Sequence, residues 1–428
     1  MSVPSTESAA QSAAAEPSPA AEGARVLGPI SVVVVNYQGE DYLEPCLRSI
    51  EAQTHAPDEV LVVENASTDG SLNVLNTHFR GVEIVRMPTN VGACTARTVG
   101  MRAAKYRFVL LVDNDVILAP DTLERLVAAM SADPDAVMAQ PRSVYKADNA
   151  RIHYDGGDLH YAGLISLHNF GAERPADPPP VEAIDVAISL ALLVDKAEVI
   201  QAGGFDEVFF ILFEDLDLSH RLRLAGKRIL KINDAVVQHD AGTPGISFRD
   251  DSDYPGRRVF FHSRNRWLYM VKCFRLWTLL VSLPGLLVYE AAWFLFALKA
   301  GNAGHWLKGK VAFFRGFKEA WRKRKHIQRR RTVGPRALTP ARPPRPAPPP
   351  ARPLPRERAD ARTTPILPWP SSSALSWSSS SCSASSCRAS SSPARLPRSA
   401  RRRSRPSRRP SRPRSTTSTP GSRGRRGT

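Results

Sequence analysis

Two short acidic clusters stand out in this 428-residue chain. Asp113-Asn114-Asp115 follows directly on the apolar run 108–112, and Glu214-Asp215-Leu216-Asp217 opens a helical stretch. Carboxylates at i and i+2 behind a buried strand can aim at one spot. Hard oxygen ligands of that kind suit Mg²⁺ or Mn²⁺ holding a diphosphate. Such an ion offsets charge building on a departing phosphate. Asp-x-Asp alone is a common turn tripeptide; its place at the end of an apolar run distinguishes it here. Asn36-Tyr37 ends the run 30–35, and Glu64-Asn65-Ala66-Ser67-Thr68-Asp69-Gly70 ends the run 60–63, so three polar clusters converge on one edge. Asn90-Val91-Gly92 precedes a helical pattern, where free N–H groups and the helix dipole favour an anion, or where these residues simply cap the helix. Arg264, with Asn265 and Arg266, precedes Trp267, and a guanidinium there can grip a diphosphate or an anionic acceptor.

These residues need a frame. Apolar runs at 30–35, 60–63 and 108–112 and a short strand at 83–86 alternate with helical patterns at 42–52, 71–78 and 93–104. That alternation predicts an α/β fold, Rossmann-like, with a mostly parallel sheet covered by helices on both faces. Ligands of such sheets bind at the carboxyl ends of the strands. Residues 140–183 lack clean periodicity and read as irregular connections on the acceptor side. Regular structure returns with 184–194, a helix 197–202, a helix 215–225 and strands 228–232 and 235–238.

The order Val-Val-Val-Asn-Tyr, Val-Val-Glu-Asn-Ala-Ser-Thr-Asp-Gly, Asn-Val-Gly-x-x-x-Ala-Arg, Asp-x-Asp and Glu-Asp-x-Asp-Leu over residues 29–270 resembles the inverting family-2 glycosyltransferases of the GT-A fold. The resemblance extends to bacterial rhamnosyl and cell-wall polysaccharide transferases. It implies that Asn36, Tyr37, Glu64, Asn65 and Asp69 surround the base and ribose of a nucleotide sugar, with Asn90 and Gly92 nearby and Arg97 beside the base or diphosphate. Asp113 and Asp115 would hold ribose and the metal–diphosphate, with His239 as a further metal ligand or an ordinary strand-end histidine. Glu64 stands where the family usually has Asp. Inversion needs a carboxylate to take the proton of the attacking hydroxyl; the resemblance gives that role to Asp215, with Glu214 positioning acceptor or base. Ser263 stands where processive synthases similar to this family have Gln, which favours addition of a single sugar. The implied partners are a UDP- or dTDP-linked sugar and a glycan or lipid-linked glycan acceptor.

The formal charge of +18 belongs to the C-terminus: residues 335–428 hold 21 Arg, no Lys, one Glu and one Asp. The remainder is close to neutral, so the charge implies no specific nucleic-acid partner. From 334 the Pro/Arg/Ser composition cannot bury enough apolar surface to order itself. Its abrupt onset also fits a GC-rich gene read in a shifted frame, which codon periodicity across position 335 tests. Residues 1–28 read as a disordered leader without the pattern of a secretory signal. Five scattered cysteines fit a reducing cytoplasm. Residues 276–298 are apolar, and the basic stretch 301–331 follows. A break at Pro284 and Gly285 would fold this segment, within 271–333, into a re-entrant or interfacial hairpin on the inner face of the cytoplasmic membrane; a hairpin packed on the body is the alternative. Two competing readings are a nucleotidyltransferase, for which the loop after the first strand is not basic, and a decayed transferase body whose tail binds phosphate non-specifically.

Overall fold

The computed structural model describes residues 25–239 and 254–333; the rest of the expected leader and the expected tail lie outside the described residues. The first half runs β1 (Ile30–Asn36), α1 (Leu43–Glu51), β2 (Glu59–Glu64), α2 (Ser71–His78), β3 (Glu83–Arg86), α3 (Gly92–Ala103), β4 (Phe108–Asp113), β5 (Val116–Leu118) and α4 (Thr122–Ala132). Then come β6 (Ala136–Val144), β7 (Ile152–Tyr154), β8 (Gly157–His160), β9 (Leu164–Leu167), β10 (Val181–Ala183) and β11 (Ala191–Asp195). The described chain closes with α5 (Lys196–Gln201), α6 (Glu214–Leu224), β12 (Arg228–His239), α7 (Gly256–Cys273), α8 (Leu276–Lys299) and α9 (Ala303–Arg329).

The main sheet has the order β10-β12-β6-β11-β4-β1-β2-β3, with β5 on β12 and β7 on β6; β8 and β9 form a separate pair. β3, β2, β1 and β4 are parallel, and β11 enters antiparallel between β4 and β6. Every residue of β1 is buried, as a strand covered on both faces requires. One apolar core joins α3, α6 and α7 to one face, and a second joins α1 and α4 to the other. The strand order turns at β1 and β4, and a ligand crevice forms at such a switch point.

Four expectations change. Residues 140–183 hold the end of β6 and then strands of three or four residues, too short to show an alternating pattern. The two strands expected at 228–232 and 235–238 are one strand, β12, with an irregularity between Ile232 and Val236. Residues 25–28 are fastened to the body: the Arg25 backbone N–H donates to Ser131 O (2.9 Å) and its side chain to Met130 O (3.1 Å). The break expected at Pro284 does not occur, and α8 runs unbroken for 24 residues. A proline costs one helical hydrogen bond and crowds the preceding turn. Here long apolar helix-forming stretches on both sides carry the helix through it.

Candidate active site

The carboxyl ends of three parallel strands form the floor. Asn36 lies opposite Glu64 across β1 and β2, and Val35 opposite Asp113 across β1 and β4. Asn36 is fully buried; its Oδ1 accepts from Asn114 Nδ2 (2.7 Å) and its Nδ2 donates to Ser67 Oγ (3.3 Å). Glu64, also buried, turns back on its own loop and accepts from the Ser67 backbone N–H at 2.9 Å. Asp69 accepts from the Glu40 N–H (2.9 Å) and from Ser71 Oγ (2.6 Å). Burial would raise its pKa, but these hydrogen bonds outweigh that and hold it below the ordinary value. Tyr37 remains 39% exposed above this row.

α3 comes down on β1 and β2 at Gly100, where a Cβ would stand 2.3 Å from Val33 and 2.8 Å from Val63. That close approach sets Arg97, one turn earlier, at the strand ends. Its Nη2 donates to both oxygens of Asp113 (2.7 and 2.9 Å) and its Nη1 to Glu214 Oε1 (3.3 Å). Asp215 follows Glu214 at the start of α6 and accepts from the Ser189 N–H at 3.0 Å. The next residue, Leu190, accepts from the Asp113 N–H at 2.8 Å, so both acidic clusters are tied to one dipeptide. Desolvation pushes Asp113 up to about 6, Arg97 pulling the other way and Asp115 adding to the rise. Desolvation and the neighbouring Asp215 charge push Glu214 up to about 7, again against Arg97. Asp215 is raised by burial and eased by Arg97 and Ser189. Glu214 Oε2 is buried without a hydrogen-bond partner, while Asp215 is only half-buried. Asp217 points the other way, into a buried pairing with Arg221 (2.8 Å) and Lys272 (2.8 Å).

His239 ends β12 opposite Val116 of β5, which brings its Nε2 to 3.3 Å from Asp115 Oδ2. Its ring stacks on His153 at 4.9 Å. Among the described residues, no group of three His, Cys, Asp or Glu side chains gathers as a self-sufficient metal site. An Mg²⁺ or Mn²⁺ ion in a nucleotide site takes only one or two protein ligands and completes its shell with phosphate and water. A carboxylate beside an imidazole fits that role. Both Asp113 oxygens, by contrast, face Arg97.

Residues 208–213, leading into Glu214, are strained: Phe210, Leu212 and Phe213 have φ of 65°, 68° and 73°. Arg264 and Asn265 on α7 hold this loop by its backbone. Asn265 Nδ2 donates to the carbonyls of Phe209 (3.1 Å), Ile211 (2.9 Å) and Leu212 (2.8 Å). Arg264 Nη2 donates to those of Val208 (2.7 Å) and Phe209 (2.9 Å). A third fastening lies at the start of α3, where the Cys94 N–H donates to Phe210 O at 3.3 Å.

The description "Glycosyl transferase family 2" matches residues 31–176, and "Glycosyl transferase family group 2" matches residues 108–311. Together the two matches span residues 31–311 and support a family-2 glycosyltransferase. This transferase is 26% identical over 270 residues to an N-acetylglucosaminyl-diphospho-decaprenol L-rhamnosyltransferase of Mycobacterium tuberculosis, covering 56% of this chain and 83% of the relative. It is 27% identical to the glycosyltransferase GlyG of Streptococcus pneumoniae, covering 48% of this chain and 68% of the relative. Among solved structures, GalNAc-T7 with UDP, GalNAc and Mn²⁺ aligns with a TM-score of 0.43 at 16% identity, over 57% of this chain and half of that one.

In the transferase the strand ends bring Asn36, Glu64, Asp113 and Asn114 into one row, and Arg97 joins that row to Glu214. Asn65 and Asn90 serve the start of α3: Asn65 Oδ1 accepts from the Val91 N–H and Asn90 Oδ1 from the Gly92 N–H, each at 2.9 Å. With the Cys94 N–H also paired, this helix start is capped by the protein. Arg264 is directed at loop carbonyls, away from the strand ends. Ser189 and His153 went unnoticed in the sequence, and Asn265 stood out there only as a neighbour of Arg264. Ser189 acts through its backbone N–H and Asn265 on carbonyls, so neither side-chain type announces the role. His153 sits on a three-residue strand with no local pattern.

Proposed function

We propose that this transferase moves one sugar, with inversion, from a UDP- or dTDP-linked donor to a hydroxyl of a glycan or lipid-linked glycan, with Asp215 as the general base. The observation that carries the reading is the pairing of a half-open, burial-raised carboxylate at Asp215 with the Arg97-neutralised strand ends on the same edge of the sheet. Asp215 is anchored at Ser189 yet only half-buried, so an acceptor hydroxyl can reach it and give up its proton there. Glu214 adds a second buried carboxylate that orients base or acceptor. Asn36, Tyr37, Glu64 and Asp69 frame the nucleotide. Asp115 and His239 would hold Mg²⁺ or Mn²⁺, which supplies positive charge opposite the departing diphosphate. The relative named for rhamnosyl transfer to a decaprenyl-diphosphate sugar supports a lipid-linked acceptor. Such an acceptor places the enzyme in the cytoplasm, attached peripherally to the inner face of the plasma membrane.

A panel of UDP-, dTDP- and GDP-sugars with either metal, scored for metal-dependent hydrolysis and transfer, tests this reading. Asp115→Ala is expected to weaken donor and Mn²⁺ binding together. Asp215→Asn is expected to leave donor affinity within about threefold and reduce transfer by roughly 10²-fold or more, the usual size of a general-base contribution. Full transfer by Asp215→Asn would overturn the assignment.

A further inference from the structure

α8 is 24 residues long; its most apolar 18-residue window has a mean hydropathy of 1.8 and is only 6% buried. Trp277, Leu280, Leu287, Val288 and Leu295 are each between 57% and 72% exposed, at spacings that keep them along one side of the helix. α9, which meets α8 through Trp306 and Lys310 on Glu290, carries an exposed apolar stripe of its own. Its inner face, through Phe313, Ala320 and Ile327, is buried on the body, α7 being its main partner. Its outer face exposes Leu307 (58%), Val311 (42%), Phe314 (71%) and Trp321 (37%) at intervals of four, three and seven residues. Lys308, Arg315, Lys318 and Lys325 stand exposed around this stripe. α9 holds nine Lys or Arg against the single Glu319. An apolar stripe in a strongly basic setting is the pattern of a helix lying in a membrane interface.

α8 is long enough to cross a bilayer, about 36 Å at 1.5 Å per residue, but one residue ties it down. Glu290, near its middle, accepts from Trp267 Nε1 (2.8 Å) and Arg266 Nη1 (3.0 Å) of α7 and from Trp306 Nε1 (3.1 Å) of α9, and also pairs with Lys310. Crossing would strip all four partners from a carboxylate and carry it into hydrocarbon, which is costly. A second copy of the chain is a poor occupant, because a self-complementary contact would set the α9 lysines and arginines against their own kind.

We propose that the joint outer face of α8 and α9 seats in one leaflet of an anionic bilayer without spanning it, Trp277 and Trp321 entering the acyl boundary and the α9 cations meeting anionic headgroups. This extends the attachment proposed above and stands apart from the transfer chemistry, so failure of either leaves the other intact.

The full chain, mixed with vesicles containing phosphatidylglycerol and brominated acyl chains, tests it. Tryptophan fluorescence is expected to be quenched more by bromine near the headgroups than at mid-bilayer. Most of that quenching should vanish in the double variant Trp277→Phe, Trp321→Phe. The triple variant Lys308→Glu, Arg315→Glu, Lys318→Glu is expected to bind such vesicles at least about tenfold more weakly, with unchanged far-ultraviolet circular dichroism and melting. Binding through the Arg-rich segment 335–428 alone would leave quenching insensitive to the double variant and binding insensitive to the triple one, and either result overturns the proposal. So would quenching strongest at mid-bilayer, the mark of a span. A stable dimer in solution with both tryptophans shielded before lipid is added would assign the face to a second copy.

Discussion

Arg97 shares one guanidinium between Asp113 and Glu214, with Asp215 close behind, so the charge balance at this edge is a single buried cation among several acids. The consequence appears in stability against pH. Burial, followed by the Asp215 charge, raises Glu214 from its ordinary 4.5 to about 7, so its ionised form is the costly one in the folded chain. Below about pH 4.5 the carboxyl is protonated in folded and unfolded chains alike and the penalty is absent. As pH rises toward 7 the unfolded chain gives up its proton first, and folding loses up to about 3 kcal/mol from this group. Glu214→Gln removes the titration. Urea unfolding at pH 4.5 and pH 8 should show the variant gaining on the wild type at the higher pH by about 1–3 kcal/mol. An equal difference at both pH values would mean that Glu214 is not held protonated by its surroundings.

The elements that carry the acids differ in how far they could be anticipated. β1, β2 and β4 are continuous apolar runs ending in polar residues, so Asn36, Glu64 and Asp113 were legible as strand ends, and parallel pairing alone sets them side by side. α6 announced itself by acids in its first turn, which suit a helix N-terminus. What was not legible is the loop before it. Phe210, Leu212 and Phe213 adopt positive φ, a conformation that aromatic and branched residues avoid, so composition gave no hint of it. Arg264 was misleading for a related reason: a guanidinium grips a carbonyl as readily as a phosphate, and only the fold decides which lies within reach. Strain of order 1–3 kcal/mol per residue persists only where the surroundings impose it. Here Asn265 does so. Asn265→Ala should lower stability by about 2 kcal/mol or more through the carbonyls it abandons. A single-turnover assay should show the transfer step slowed by roughly tenfold or more while donor affinity holds, because a loosened loop misplaces the base. Restoration of the rate by Asn265→Gln would argue for a hydrogen-bonding role; a donor affinity that falls in step with the rate would argue for general damage.

Charge and fold divide the chain differently. The net charge of +18 is carried by the Arg-rich stretch beyond 334, whereas the α/β body and its helices close on themselves before it. α9 returns to the body at its far end: the Thr332 N–H donates to Leu224 O at 2.9 Å, and Arg324 and Gln328 donate to carbonyls at the end of α7. Among the described residues, the contacts that order α6 and its acids are all made before residue 334. A chain ending at Val333 keeps these contacts of α6 and α9 and should melt within about 2 °C of the full chain, and should keep metal-dependent donor hydrolysis. Its affinity for duplex DNA or heparin at low salt should fall steeply, because a run of arginines binds such polyanions by releasing counterions. Loss of transfer on removing 334–428 with melting unchanged would instead assign that stretch a part in acceptor binding, and a collapse of the melting transition would show that the body depends on it.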